Sequence, residues 1–594
     1  MSGEESSVNP FTLLADETRL GIIEAIGDAS GDGEYATLSY STIREALDGV
    51  DPGTLNYHLR QLRGRFVERT DDGYQLSLPG IRVHQALVSR SFDGERRSVE
   101  PVEVGEHCES CGEPLLVSYD RERFFVRCHE CDIVYHRYPV TPNAFDPSNP
   151  RMLVDVAMWK SHTDVWSMLR GVCPYCSGTV ERALSRDDRG GTNNDDWELY
   201  AHLTCQSCGW FVHPPVEMVP YHHHATATFF DERGLTEHFT ELRIDSEWTE
   251  TVRSEDPWRV EVAMAYDGDT IRHIVDGDLN VVEWTVDGER PHRSASEPRR
   301  RAVADGDPPN RRRTERALSI LADETRLGVI EAIGDASGDG EYVTLSYSTI
   351  QQALDGVDSG KLNYHLRQLR GRFVERTDDG YRLTVPGIRV YQAVSSGRFE
   401  DDRPTVPPTA MEACCKECDG PLRTSYEDGR FVVRCAGCDV RWLRYPLQPN
   451  AFDTQDVEGM VDTALTRNFL DLRSMFGGIC PYCSGRVVHS ISGDDGGMGL
   501  DDGSVFAHLS CTQCAWFAHP RVDMVAYVHH ATATFYERHG RPKPTTRMVV
   551  DGEWTTTVLS TDPWRFHVDI HLEDDTLRHV VDENLDVVEW AVLD

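Results

Sequence analysis

The sequence predicts an α+β multidomain chain: one composite unit, present twice, made of a helical module, two four-cysteine modules and a small β-rich end. Three observations carry that prediction. Residues 14–83 align with residues 321–390 at a constant offset of 307, without a gap, and nine of the 70 positions differ. Sixteen of the 17 cysteines fall into eight C-x-x-C pairs, in the same order in both copies. Apolar residues recur at helical spacing where each unit begins and alternate where it ends.

The order within a unit follows from local signals. In ADETRLGIIEAIG, Asp16 caps a helix whose apolar stripe is Leu20, Ile23 and Ile26. SYSTIREAL forms a second helix with Ile43, Ala46 and Leu47 inward. A third helix starts at Asp51 as N-cap with Pro52 in its first turn. At 100° per residue, Leu55, Leu59 and Leu62 share one face. Gly53, Tyr57, Arg60 and Gln61 lie opposite, with Asn56 and Arg63 to one side. RFVERTDDGYQLSL then reads as a hairpin with Asp71, Asp72 and Gly73 at its tip, and PGIRVHQAL as a closing helix.

This module is assigned to residues 11–98, and its copy to 317–400. Four-cysteine modules follow at 104–145 and 171–220, separated by a connecting helix over 146–170. Their counterparts are 411–450 and 478–526, with the helix at 451–477. Alternating patterns such as WRVEVAMAY place β-rich modules at 221–286 and 527–594. Residues 287–316, rich in Pro, Arg, Asp and Ser, read as a flexible linker.

The charge is far from balanced: 60 basic against 99 acidic residues, formally −39. Only Lys160, Lys361, Lys416 and Lys543 are lysines. A surface so acidic and so poor in lysine resembles those of haloarchaeal proteins, which work in molar salt. The acidic, polar start MSGEESSVNP is no signal peptide, and no apolar run reaches membrane-spanning length. A cytoplasmic location is expected.

In a reducing compartment, paired C-x-x-C turns point to metal rather than disulfides. Cys108, Cys111, Cys128 and Cys131 form the first set, and Cys173, Cys176, Cys205 and Cys208 the second. Cys415, Cys418, Cys435 and Cys438 repeat the first; Cys480, Cys483, Cys511 and Cys514 repeat the second. Four thiolates on two hairpin tips converge tetrahedrally on one Zn2+, so about four zinc ions per chain are expected. The sets resemble zinc ribbons. Four thiolates leave no open coordination position, so catalysis is not expected. Rubredoxin-like iron is the alternative occupant. Cys414 has no counterpart and reads as a spare thiol. His202, His213, His223 and His224, with His508, His519, His529 and His530, flank the second ribbons and are expected to pack rather than ligate.

LADETRLGIIEAI, LNYHLRQL and the DDGYQL hairpin together resemble the ArsR-like winged helix–turn–helix group of prokaryotic transcription regulators. The resemblance implies that the third helix enters the major groove of DNA while the hairpin, the wing, reaches the backbone. The candidate DNA contacts are then Thr54, Asn56, Tyr57, Arg60, Gln61, Arg63, Arg65 and Arg69. The second copy offers Lys361, Asn363, Tyr364, Arg367, Gln368, Arg370, Arg372 and Arg376. Such regulators act as dimers on paired half-sites, and one chain with two copies supplies both reading heads. The whole resembles haloarchaeal winged-helix regulators with zinc-ribbon domains. Two alternatives stand beside this: a factor that binds the transcription machinery, as archaeal TFE-like proteins do, and a redox or metal sensor built on the ribbons.

Overall fold

The fold is taken from a computed structural model, which describes residues 9–30, 36–92, 97–131, 133–187, 198–236, 244, 246–288, 293–295, 311–336, 343–399, 404–493, 504–514, 516–541 and 552–593. Each copy opens with helices: α1 (Pro10–Leu14), α2 (Glu17–Asp28), α3 (Tyr40–Ala46) and α4 (Pro52–Leu62). A hairpin of β1 (Val67–Arg69) and β2 (Tyr74–Leu76) follows, then α5 (Leu78–Val88). The caps are those the side chains favour. Asp16 accepts from Arg19 N at 2.9 Å, and Asp51 accepts from Thr54 N at 3.0 Å. At the hairpin tip Gly73 has φ +154°, and a Cβ there would lie 2.3 Å from the Leu38 carbonyl oxygen. That close approach lets Leu38 and Tyr74 exchange two backbone hydrogen bonds of 2.9 Å, tying the hairpin to the entry of α3.

Next comes an antiparallel sheet of β3 (Val99–His107), β4 (Pro114–Asp120), β5 (Arg123–Cys128) and β6 (Val134–Pro139). The long α6 (Pro150–Leu169) leads to a three-stranded sheet of β7 (Val180–Ser185), β8 (Tyr200–Cys205) and β9 (Phe211–Val212). Two short helices, α7 (Met218–Tyr221) and α8 (His224–Asp231), precede the meander β10 (Glu247–Glu255), β11 (Trp258–Tyr266), β12 (Asp269–Asp276) and β13 (Val281–Asp287).

The second copy repeats this order. After β14 (Arg293–Ala295) come α9 (Arg311–Leu321), α10 (Glu324–Asp335), α11 (Tyr347–Ala353), α12 (Ser359–Leu369), β15 (Val374–Arg376), β16 (Tyr381–Leu383) and α13 (Val385–Ser395). Then follow β17 (Val406–Cys414), β18 (Pro421–Glu427), β19 (Arg430–Cys435), β20 (Arg441–Pro446), α14 (Val457–Phe476), β21 (Val487–Ser492), β22 (Phe506–Cys511) and β23 (Phe517–Ala518). The chain closes with α15 (Met524–Val528), α16 (His530–Arg538), β24 (Glu553–Thr561), β25 (Trp564–Leu572), β26 (Asp575–Asp582) and β27 (Val587–Leu593).

Two expectations need correction. The stretch read as a linker, 287–316, carries structure at both ends. Arg293–Ala295 adds an edge strand to the other copy's sheet, pairing with Glu589–Ala591 on β27. The second helical module starts at Arg311 rather than at 317, because Arg311 pairs with Glu24 and Arg312 lies 3.5 Å from Glu17, anchoring the charged first turn of α9. Residues 289–292 and 296–310 lie outside the described residues. The β-rich modules also begin with helices: HHATATF forms α8 and α16, whose threonines are buried, Thr228 against Thr534 across the two helices and Thr226 and Thr532 against His273 and His579 of their own copies.

The copies are not beads on a string. Both helical modules share one hydrophobic core that includes Phe11, Leu14, Leu318, Leu321 and Phe399. Phe11 meets Phe399 edge-on at 5.7 Å, and Asn9 Nδ2 donates to Leu321 O at 2.9 Å. Further along, Trp166 of α6 packs on Phe469 of α14 at 5.6 Å, with the Arg473 guanidinium 3.9 Å from the Trp166 ring. At the far end Thr228 of α8 and Thr534 of α16 share a 2.9 Å hydrogen bond. Docking is also crossed. Arg82, on α5 of the first copy, lies 4.0 Å from the Tyr482 ring of the second. In return Arg398 donates to Tyr175 O at 2.7 Å, and Arg389 pairs with Glu122.

Candidate metal centres and nucleic-acid interface

Each four-cysteine set assembles from two tight turns at strand ends. In the first, Cys108–Cys131 and Cys111–Cys128 sulfurs lie 3.5 and 3.3 Å apart. In the second, Cys173–Cys208 and Cys176–Cys205 are at 3.6 and 3.4 Å. The third has Cys415–Cys438 at 3.7 Å and Cys418–Cys435 at 3.4 Å; the fourth has Cys480–Cys514 at 3.5 Å and Cys483–Cys511 at 3.4 Å. These separations are far beyond an S–S bond of about 2.05 Å. They approach the edge of about 3.8 Å that a tetrahedron with Zn–S bonds of about 2.3 Å requires. All sixteen predicted ligands are therefore brought together in fours, and the donor set fits a closed, sulfur-bound ion. Cys414 stays exposed and outside the set.

The electrostatics agree with the geometry. Hydrogen bonds from Cys173 and Cys176 hold the Cys205 thiol far below its ordinary range, and Cys480 and Cys483 do the same to Cys511. Burial and the neighbouring sulfurs push Cys173, Cys208, Cys483 and Cys514 up, so a bound cation is what would take all four sulfurs of a set as thiolates. The second and fourth sets are fully buried, whereas the first and third leave Cys111, Cys418 and Cys438 exposed.

On α4 the leucine face is buried and the opposite face is open. Leu55, Leu59 and Leu62 are buried, while Thr54, Asn56, Tyr57, Arg60, Gln61 and Arg63 are exposed. On α12, Lys361, Asn363, Tyr364, Arg367, Gln368 and Arg370 are likewise exposed. Arg69 and Arg376 are exposed on their hairpins, and Arg372 is half-buried. Tyr57 is 59 % and Tyr364 49 % exposed, high values for tyrosines on helices with a well-packed inner face. Arg65 does not belong to this surface. It is buried, and its Nε donates to Phe399 O at 2.8 Å, so it satisfies a carbonyl where the two copies meet.

Two models of protein families match the chain, each in both copies. "Domain of unknown function (DUF7347)" matches residues 7–87 and 314–394; "Domain of unknown function (DUF7351)" matches 105–281 and 412–587, more than half of the sequence. The chain belongs to the DUF7351 family. No curated protein and no solved structure matches it. The DUF7351 regions contain all sixteen paired cysteines, and the DUF7347 regions contain α4 and α12.

Within the first DUF7351 region lies a feature that sequence reading missed. A cavity of about 1100 Å3 is lined by His136, His162, Trp210, His213 and Glu217, and by Arg382, Arg389 and Gln392 of the second helical module. Burial pushes the Glu217 carboxyl up to about 7, with Glu250 and Glu109 adding repulsion. Burial likewise lowers His136 to about 4. Its walls come from both copies, so no local pattern announces it. Among the described residues no helix is long and apolar enough to cross a membrane.

Proposed function

We propose that this protein is a transcription regulator that binds duplex DNA, with α4 and α12 as the paired reading helices of two winged helix–turn–helix modules. The hairpins β1–β2 and β15–β16 are the wings. The observation that carries the reading is the open face repeated on both helices. Asn56, Tyr57, Arg60 and Gln61 match Asn363, Tyr364, Arg367 and Gln368, and all eight side chains are exposed. Arginine, asparagine and glutamine are the side chains that pair bidentately with base edges in the major groove. A core common to both modules supports a fixed distance between the heads, which two half-sites on one duplex require.

The four-cysteine modules hold zinc in this reading and serve as frame. Zinc would draw the two turns of each set together, and the crossed docking carries that order to the helical modules. The strongly acidic surface suits a partner met in molar salt, where release of counterions contributes little. Base-edge contacts and groove shape then supply most of the affinity.

Selection of bound duplexes from a random pool at molar KCl tests the proposal. The expected result is one enriched site with two related halves, bound with a shallow salt dependence. Recovery of no preferred sequence overturns base reading and favours a factor that binds the transcription machinery.

A further inference from the structure

The HHATATF helices bring a second kind of donor set together at the seam. His223 caps α8, His224 opens it, and Glu537 reaches them from α16 of the other copy. His224 Nε2 lies 2.5 Å and His223 Nε2 3.9 Å from the same oxygen, Glu537 Oε2. The two imidazole rings are 4.0 Å apart, and one ligand atom from each of the three side chains falls within 4.8 Å of the others. The pattern recurs with the copies exchanged. His530 Nε2 is 3.1 Å from Asp231 Oδ2, and the His529 and His530 rings are again 4.0 Å apart.

A plain ion pair across the seam needs one histidine per carboxylate. Here Glu537 meets two adjacent histidines, and Asp231 meets His530, the inner member of a like pair. A third histidine stands edge-on to the outer one: His273 to His223 at 5.5 Å, His579 to His529 at 5.2 Å. The Nδ1 atom of His529 is buried without a hydrogen-bond partner among the described residues. An indole N–H also holds that same oxygen in each case: Trp284 Nε1 donates to Glu537 Oε2 at 2.8 Å and Trp590 Nε1 donates to Asp231 Oδ2 at 2.5 Å. Hydrogen-bonded carboxylates beside imidazoles are the arrangement that metal ligands need.

We propose that these clusters are two transition-metal sites: His223, His224 and Glu537 in one, His529, His530 and Asp231 in the other. Each is incomplete without the opposite copy, because the carboxylate always comes from there. Two imidazole nitrogens and one carboxylate suit Zn2+ or Fe2+, and the bound ions tie α8 to α16. The four sulfur sites lie within single copies; these two lie between copies.

Elemental analysis of the full chain, purified without added metal, is the first test. About six ions per chain are expected, four on sulfur and two on nitrogen and oxygen. A wild-type count of four overturns the proposal. Glu537→Gln and Asp231→Asn keep shape and hydrogen bonding but remove the anionic donor, and each should lower the count by one; an unchanged count overturns it too. Should either variant fail to fold, Co2+ exchange into the wild-type chain decides. Cobalt on the proposed sites gives ligand-field bands without sulfur-to-cobalt charge transfer, and a spectrum of thiolate sites alone overturns the assignment.

Discussion

Arg60 and Arg65 sit one turn and a half apart, yet the first is open to solvent and the second is buried against Phe399. Helical periodicity placed Arg60 correctly, because the leucine face of α4 is set by residues within the same eleven. Arg65, beyond the helix and named as a DNA contact with the neighbouring arginines, is instead captured by a carbonyl 334 residues away. We expect Arg60→Ala combined with Arg367→Ala to abolish sequence preference, each arginine carrying roughly 1–3 kcal/mol of discrimination. The thermal transition should barely move, since both side chains are exposed; selection on the double variant checks this, and an unaltered preference would sink the groove assignment. Glu217 supplies a second expectation at this scale. Its folded carboxyl holds a proton up to about pH 7, well above the unfolded group, so the folded state loses stability as pH rises between those two values. Glu217→Gln removes that loss. The variant should be about 1–3 kcal/mol more stable than wild type near pH 8 and similar near pH 4. Denaturant titrations at both pH values read it, and a parallel pH dependence in the two proteins would count against the buried carboxyl.

Among the elements, those fixed by near neighbours were legible. Each C-x-x-C turn is local, and its partner turn lies on the next hairpin, so spacing alone paired all four sets. Asp16, Asp51 and Pro52 marked helix starts that the fold keeps. What escaped were elements made stable by distant packing. RRRTER begins α9 because Glu17 and Glu24 lie beneath it, and HHATATF turns helical because α8 and α16 pack on each other through Thr228 and Thr534. For the four-cysteine elements we expect Cys415→Ser to remove one metal ion per chain and lower the melting temperature, since metal binding contributes folding free energy where a sheet has little core. Cys414→Ser should change neither quantity. Metal analysis with calorimetry separates the two variants, and the reverse outcome would mean that Cys414 is the ligand.

At the scale of the molecule, the repeat announced two copies but not their embrace. The seam joins α1 with α9, α6 with α14 and α8 with α16, and α5 rests on a cysteine module of the opposite copy. No stretch of sequence encodes such pairings, because identical segments can pack within a copy or between copies. A half chain of residues 1–295 should therefore associate with its twin, covering Phe11 and setting His224 against Asp231 of the second molecule. Light scattering should report a dimer, and a stable monomer would contradict the shared core. The crossed contact of Arg82 with Tyr482 and Trp516 carries a genetic consequence. A lesion at Arg82 weakens a joint whose other face is written in the far half of the gene. Second-site revertants of Arg82→Ala should cluster around Tyr482 and Trp516, and a duplicate of the first half supplied in trans should not rescue it.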